Sequence, residues 1–385
     1  QSALSSLIDE ARAGTLPDKA HRNLIRLAAE AGMRQDDMPY GELIQTVTVI
    51  GTTGADIRIE MLHPFAMLHA AARRRNFSDL LKRTHESTPS SPTSPWKLCV
   101  YSDEVTVGDN RKSDPSRMIQ SIYYSFLEFG AAALSKEDFW LIATTVRSTV
   151  VRLVEAGMSQ LISKVLSVFF SQNSHNMQHS GVQLQLADGS RIRVFAKLAL
   201  MLADESALHA TWLNKGSSGI KLCICCKNIM DPSHVLRHGI PEDDYFRAFN
   251  RIYRYEALDL ITKEEIFEII DDLKTLYGTM HPTNWEMYEK VAGFSHNTHS
   301  LLNNEMLRRV LDPPNQNLVD PGHAILSGVF PVEMELLMKE LRPFNLDYET
   351  LGAFADLFTW PRRIQSKGIT GVDALNPRRA KSSRT

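Results

Sequence analysis

Apolar and polar residues alternate along several short stretches of this chain, and the period changes at identifiable points. Ile44-Gln-Thr-Val-Thr-Val-Ile and Ala55-Asp-Ile-Arg-Ile-Glu-Met alternate with period two around Gly51-Thr-Thr-Gly54, which predicts a β-hairpin. Before it, Leu24, Leu27, Ala28 and Ala31 form a helical stripe that ends near Gly32, and after it His63 to Arg75 reads as another helix. Ser87-Thr-Pro-Ser-Ser-Pro-Thr-Ser-Pro95 follows neither period, and its prolines among Ser and Thr mark a linker. Past the linker, Lys97 to Ser102 is a buried-strand pattern ending on Asp103 and Glu104. Ser121 to Phe129 and Phe139 to Val146 are further strand candidates, rich in aromatic and branched residues. Met158 to Phe170 is amphipathic and predicts a helix. Val182-Gln-Leu-Gln-Leu and Arg191-Ile-Arg-Val-Phe then flank the turn Ala187-Asp-Gly-Ser190. The second arm of that hairpin is expected to run on through Leu198 to Leu202 and stop at Asp204. Acidic, helical segments lie between Glu242 and Tyr277, and a Pro/Asn-rich stretch from Asp312 to Asn317 leads into Leu318-Val-Asp-Pro-Gly-His323 and an amphipathic helix.

Three strands, a helix and a long strand that arrives at an acid form the ribonuclease H order. The expected fold is therefore α/β: a ribonuclease H-like mixed sheet flanked by helices, with a helical insertion and a small N-terminal α+β region. The expected divisions are an N-terminal region at 1–86, a Ser/Pro linker at 87–96, a core at 97–360 with a Cys/His insertion at about 205–317, and a basic tail at 361–385.

Composition narrows the picture only in places. No apolar run reaches the length of a membrane span, and no basic segment followed by an apolar one opens the chain, so neither a membrane partner nor a secretory leader is expected. A start on Gln1 is compatible with a fragment. A net charge of −2 argues against coating nucleic acid by bulk charge, although it leaves room for an acidic metal site among local basic patches. Such patches are Arg73-Arg-Arg75, the pair Arg191 and Arg193, and the tail after Trp360, which has seven Lys/Arg and one Asp. Four cysteines, three of them in Cys223-Ile-Cys225-Cys226, are not a secreted disulfide framework, so a reducing, intracellular setting (nuclear or cytoplasmic) is expected. No Gly-x-x-x-x-Gly-Lys-Ser/Thr loop and no Gly-x-Ser-x-Gly elbow occurs, which disfavours a nucleotide cofactor and a serine hydrolase.

Two strands that end on Asp103 and Asp204 can bring their carboxylates together if they are neighbours, and Asp320, near the start of a later helix, can close the group. Such a cluster suits two Mg²⁺, a hard ion that prefers oxygen ligands, and a pair of these ions serves phosphodiester cleavage. An Asp at a strand end is also an ordinary turn residue. Glu333 and Glu335 compete with Asp320 for the third place. Cys223-x-x-Cys226 with His234-x-x-x-His238 offers the two thiolates and two imidazoles that tetrahedral Zn²⁺ takes, and Cys225 can stand in for either neighbour. The bland alternative is buried thiols beside surface histidines.

The wider blocks resemble those of a known family. Tyr101-Ser-Asp-Glu-Val is similar to the first-acid block of Plavaka and related CACTA-type cut-and-paste transposases. Ala203-Asp-Glu-Ser-Ala-Leu-His-Ala-Thr-Trp through the Gly/Lys-rich turn to Cys226 resembles their second-acid block. Val319-Asp-Pro-Gly-His-Ala-Ile-Leu-Ser-Gly resembles a block usually written Asp-Pro-Met-His, with Gly322 in place of Met. The resemblance implies a DNA-binding protein that cleaves and joins phosphodiesters with two Mg²⁺ held by Asp103, Asp204 and Asp320, with a Cys pair in an insertion between the second and third acids. The alternative it leaves is a catalytically dead relic that binds DNA or protein. A third reading is an unrelated α/β interaction protein with a zinc module. A homo-oligomer is left open.

Overall fold

The computed structural model describes residues 39–106, 118–171, 175–230, 254–344, 346 and 350. The expected helix before Gly32, His234 and His238, and the tail lie outside these residues.

Strands β1 (Ile44–Ile50) and β2 (Asp56–Leu62) pair in register from Ile44 opposite Leu62 to Ile50 opposite Asp56. Gly54, at φ +79°, supplies the left-handed residue that their tight turn needs. The helix expected over His63 to Arg75 is interrupted. Helix α1 (Pro64–Ala72) starts where the His63 ring nitrogen accepts the Ala66 N–H and Pro64 needs no donor, and α2 (Arg75–Ser87) starts afresh after Arg74, which is extended.

A five-stranded mixed sheet forms the centre. β4 (Met118–Phe126) runs antiparallel to both β3 (Trp96–Thr106) and β5 (Leu141–Arg147), and β8 (Ala196–Ala203) and the short β9 (Asn317–Val319) run parallel to β3. The order across the sheet is β5-β4-β3-β8-β9. β4 ends earlier than its aromatic pattern suggests, because Leu127–Phe129 turns into one 3₁₀ turn that tucks Phe129 into the core.

The second hairpin, β6 (Val182–Gln185) with β7 (Arg191–Val194), forms its own small sheet. Its second arm does not run unbroken into β8. Phe195 separates them because its backbone groups are taken by neighbours outside the hairpin: its N–H donates to the Ser90 hydroxyl, and its carbonyl accepts from Ser90 Oγ and from the Trp96 N–H. The Ser/Pro stretch is thus tied to the strand junction.

Helix α3 (Met158–Phe169) packs Leu161, Ile162, Leu166 and Phe169 into the core beside Trp96, Tyr124 and Phe126. Phe65, Leu68 and Leu81 of α1 and α2 join the same cluster. The buried Tyr124 hydroxyl donates to the Pro64 carbonyl at 2.7 Å, so the central sheet holds the start of α1 by hydrogen bond as well as by packing. Beyond β8 come α4 (Glu205–Trp212), α5 (Lys263–Leu276) with a Thr262/Glu265 capping box, α6 (Pro282–Ala292), and a π-helical stretch Gly322–Val329 that continues into α7 (Phe330–Leu341). No helix among the described residues is long and apolar enough to cross a membrane.

Candidate carboxylate site and cysteine knuckle

The positions of the three candidate acids follow from strand register. β3 and β8 align Leu98 with Leu198, then a bulge adds one residue to β8, and Cys99 aligns with Leu200 and Tyr101 with Leu202. Carried two residues further, that register sets Asp103 level with Asp204. β8 and β9 align Ala203 with Val319, so the next residues are Asp204 and Asp320, and the Asp320 N–H extends the ladder by donating to the Ala203 carbonyl at 2.8 Å. Adjacent strands lie about 4.8 Å apart, so Asp103 and Asp320 flank Asp204 at about one strand spacing on either side. Without the bulge, Asp204 would face Glu104, whose side chain points to the other side of the sheet, where it accepts from Ser148.

Pleat alternation sets the shared face. Tyr101 and Asp103 are two residues apart on β3 and point the same way, as do Leu202 and Asp204, and Leu318 and Asp320. Tyr101 reports on this directly. Burial first, then the carboxylate of Asp103, to which its hydroxyl is hydrogen-bonded, and the charge of Asp320 push that hydroxyl above its ordinary range. Tyr101 is thus a member of the site that the acid pattern did not identify; period-two spacing from Asp103 is the signal that finds it.

Local bonds hold each carboxylate. Asp204 is the N-cap of α4: its Oδ1 accepts from the Ala207 N–H at 2.7 Å and from the Ser206 hydroxyl at 2.9 Å. Asp320 Oδ1 accepts from the Gly322 N–H at 2.9 Å. The short β9 is held in place by side chains: the Trp212 indole donates to Asn317 Oδ1 at 3.0 Å, and the Gln316 amide bonds to the Leu198 and Val310 carbonyls. Among the described residues, no group of three or more His, Cys, Asp or Glu side chains is gathered tightly enough to hold a metal ion. The backbone aligns the acids, while their side chains are turned to the cap, the turn and the tyrosine. Glu333 and Glu335 are exposed on α7, Glu335 paired with Lys339 at 3.6 Å, and helical rise carries Glu333 roughly 15 Å beyond Asp320.

The cysteines form a separate knuckle. The Cys225 N–H donates to Cys223 Sγ at 3.3 Å. The Cys225 thiol, together with the backbone N–H groups of Cys225 and Cys226, favours the thiolate at Cys223, whereas burial raises the Cys226 thiol. All four cysteines are free. Cys226 bridges to Leu260, and the Ile261 N–H donates to the Cys225 carbonyl, so the knuckle rests on the approach to α5. Thiol chemistry and N–H groups aimed at sulfur suit a zinc ligand pair. His296 is packed against Tyr277 at 4.6 Å between ring centroids, with Trp285 at 6.1 Å.

In the Gly/Lys-rich turn of the second block, Lys215 forms an ion pair with Glu289 of α6 at 2.8 Å, both side chains largely buried. That lysine braces the insertion against the loop after α4. No family model matches the chain, and no characterised protein matches it either.

Proposed function

We propose that this protein is a transposase-like, DNA-binding protein with a ribonuclease H-like core, and that Asp103, Asp204 and Asp320 are the ligands of a two-Mg²⁺ site for phosphodiester cleavage and strand transfer. The observation that carries the reading is the register: the ladders of β3, β8 and β9, carried one or two residues past their last pairs, bring acids from three separated stretches level on one face. The sheet order supports it, with an antiparallel β5-β4-β3 half and a parallel β3-β8-β9 half in which β8 and β9 end immediately before Asp204 and Asp320, while β3 runs past Asp103 to Thr106 rather than stopping there. The donor set is all oxygen, as Mg²⁺ prefers. Two such ions would activate a water or 3′-hydroxyl and stabilise the leaving oxygen. The chain's own part is to hold the acids: the sheet fixes their spacing, α4 orients Asp204, and the Tyr101 hydroxyl bonds Asp103 and screens it from its neighbours. At the knuckle, Cys223 and Cys226 would be two of four ligands of a structural Zn²⁺, with His234 and His238 the proposed others.

A second reading, a relic with the same sheet that binds DNA without cutting it, is favoured by one observation: each carboxylate is engaged in local bonds. Cleavage of supercoiled plasmid with Mg²⁺ or Mn²⁺ separates the two. On the leading reading the parent nicks DNA, and Asp103→Asn or Asp204→Asn lowers the rate at least about 100-fold without changing the fold, on the order expected when a ligand of catalytic metals is removed. Variants that cut like the parent would sink the site. A parent that retards DNA without nicking it moves the protein to the second reading.

A further inference from the structure

Between α1 and the β6–β7 hairpin lies a cavity of about 640 Å³ that the carboxylate reading does not use. Its walls come from three places in the chain. His69 and Arg73 stand four residues apart on α1 and so share a helix face. Gln183 pairs with Arg193 and Gln185 with Arg191 across the β6–β7 hairpin. Alternation sends these four to the cavity and sends Val182, Leu184 and Val194 to the core. Tyr40 and His175 complete the ring, 5.3 Å apart between centroids and edge to face. Gly181, at φ +66°, completes the wall where a Cβ would meet Phe195 at 2.9 Å.

The cavity is one-sided in charge. Three guanidinium groups line it, and none of the described residues lining it is acidic. Arg193 donates to the Gln183 side-chain oxygen at 3.2 Å and Arg73 to the Gln185 side-chain oxygen at 3.4 Å. These neutral amides orient the cations without cancelling their charge. His69 is 4% exposed, and neither ring nitrogen completes a hydrogen bond; burial first, and then the Arg73 charge, hold it toward the neutral form, which still carries one N–H to donate, against a smaller opposing pull from the Gln183 carbonyl. A buried imidazole without a partner, beside uncompensated arginines, is a donor set without its acceptor.

We infer that this cavity binds phosphate, with Arg73, Arg191 and Arg193 gripping the phosphate oxygens and His69 donating from the wall. Arginine suits that task because its planar fork matches phosphate geometry. The volume admits a nucleotide unit, and the Tyr40 and His175 rings offer faces or edges to a base. The phosphate could belong to a free nucleotide or to a nucleic acid strand; the recognising chemistry is shared. The inference stands apart from the carboxylate site and needs no divalent ion.

The test is binding in EDTA, at low salt, of the whole chain to a fluorescent 12-nucleotide single-stranded DNA, with ADP as competitor. Arg191→Gln with Arg193→Gln is expected to weaken binding at least about tenfold, as two lost phosphate contacts should. Lys136→Gln with Arg152→Gln, which removes the same charge from exposed positions elsewhere, should leave it within about twofold. Competition by ADP in parallel with that loss assigns a free nucleotide, and loss without competition assigns a strand. His69→Gln, read with a thermal melt, separates a lost donor from a lost fold. If the arginine pair and the surface pair weaken binding equally, or neither does, the pocket is overturned.

Discussion

The carboxylate edge and the arginine pocket share no residue, and they are assembled in different ways. At the edge, main-chain ladders align Asp103, Asp204 and Asp320, and one bulge decides whether they meet. At the pocket, no ladder joins α1 to the hairpin; Arg73 meets Arg191 and Arg193 because a helix packs on a two-stranded sheet. The acids are satisfied locally by a cap, a turn N–H and a tyrosine, whereas the pocket keeps a buried histidine without a hydrogen bond. Register sets backbone positions rigidly and leaves side chains to find partners. Packing of separate elements can trap a polar group with none.

The strongest way to break the comparison is to remove what both regions share. Trp96 is 1% exposed, and its indole donates to the Thr88 carbonyl at 2.8 Å. Trp96→Ala is expected to cost about 3–5 kcal/mol of unfolding free energy in a denaturant titration and to weaken both sites together. Next come the crossed measurements. Asp103→Asn should lower Mg²⁺-dependent nicking about 100-fold and leave oligonucleotide binding in EDTA unchanged, while Arg191→Gln with Arg193→Gln should do the reverse to single-stranded DNA binding. If each variant damages both activities, the two regions form one site.

A smaller effect sharpens the pocket side. His63 caps α1, and burial, helped by His175, lowers it to about 4. An unfolded histidine protonates near 6.5, so between there and about pH 4 the unfolded state binds more protons than the folded one. That contribution to stability is complete above about pH 6.5 and is lost as pH falls through the window. Discounted for partial exposure, the loss is on the order of 1–2 kcal/mol. His63→Asn keeps a capping acceptor and removes the titration, so its stability should vary less over that range in urea melts at pH 4.5 and 7. Least of all, Asp204→Ala should cost about 1 kcal/mol more stability than Asp204→Asn, since Asn still caps α4. Equal melting of the two would remove the cap from the account of that carboxylate.

The sequence by itself determined the local pieces. Period-two alternation and glycine-bearing turns gave both hairpins, the apolar run before Asp103 gave the start of β3, and Asp204 could be placed at the end of a strand. Each of these depends on residues within one turn or one strand, where side-chain periodicity and turn chemistry act directly. Tertiary structure decided the rest. The bulge after Leu98 depends on how β8 lies against β3, and no pattern within either strand encodes it. The break at Phe195 comes from Ser90 and Trp96, about a hundred residues away in the chain, taking its hydrogen bonds. Arg73 and the Arg191/Arg193 pair were separate basic clusters until α1 packed on the hairpin. Contacts between distant segments are set by which surfaces can bury apolar area together, and that is a property of the assembled core rather than of any stretch of sequence.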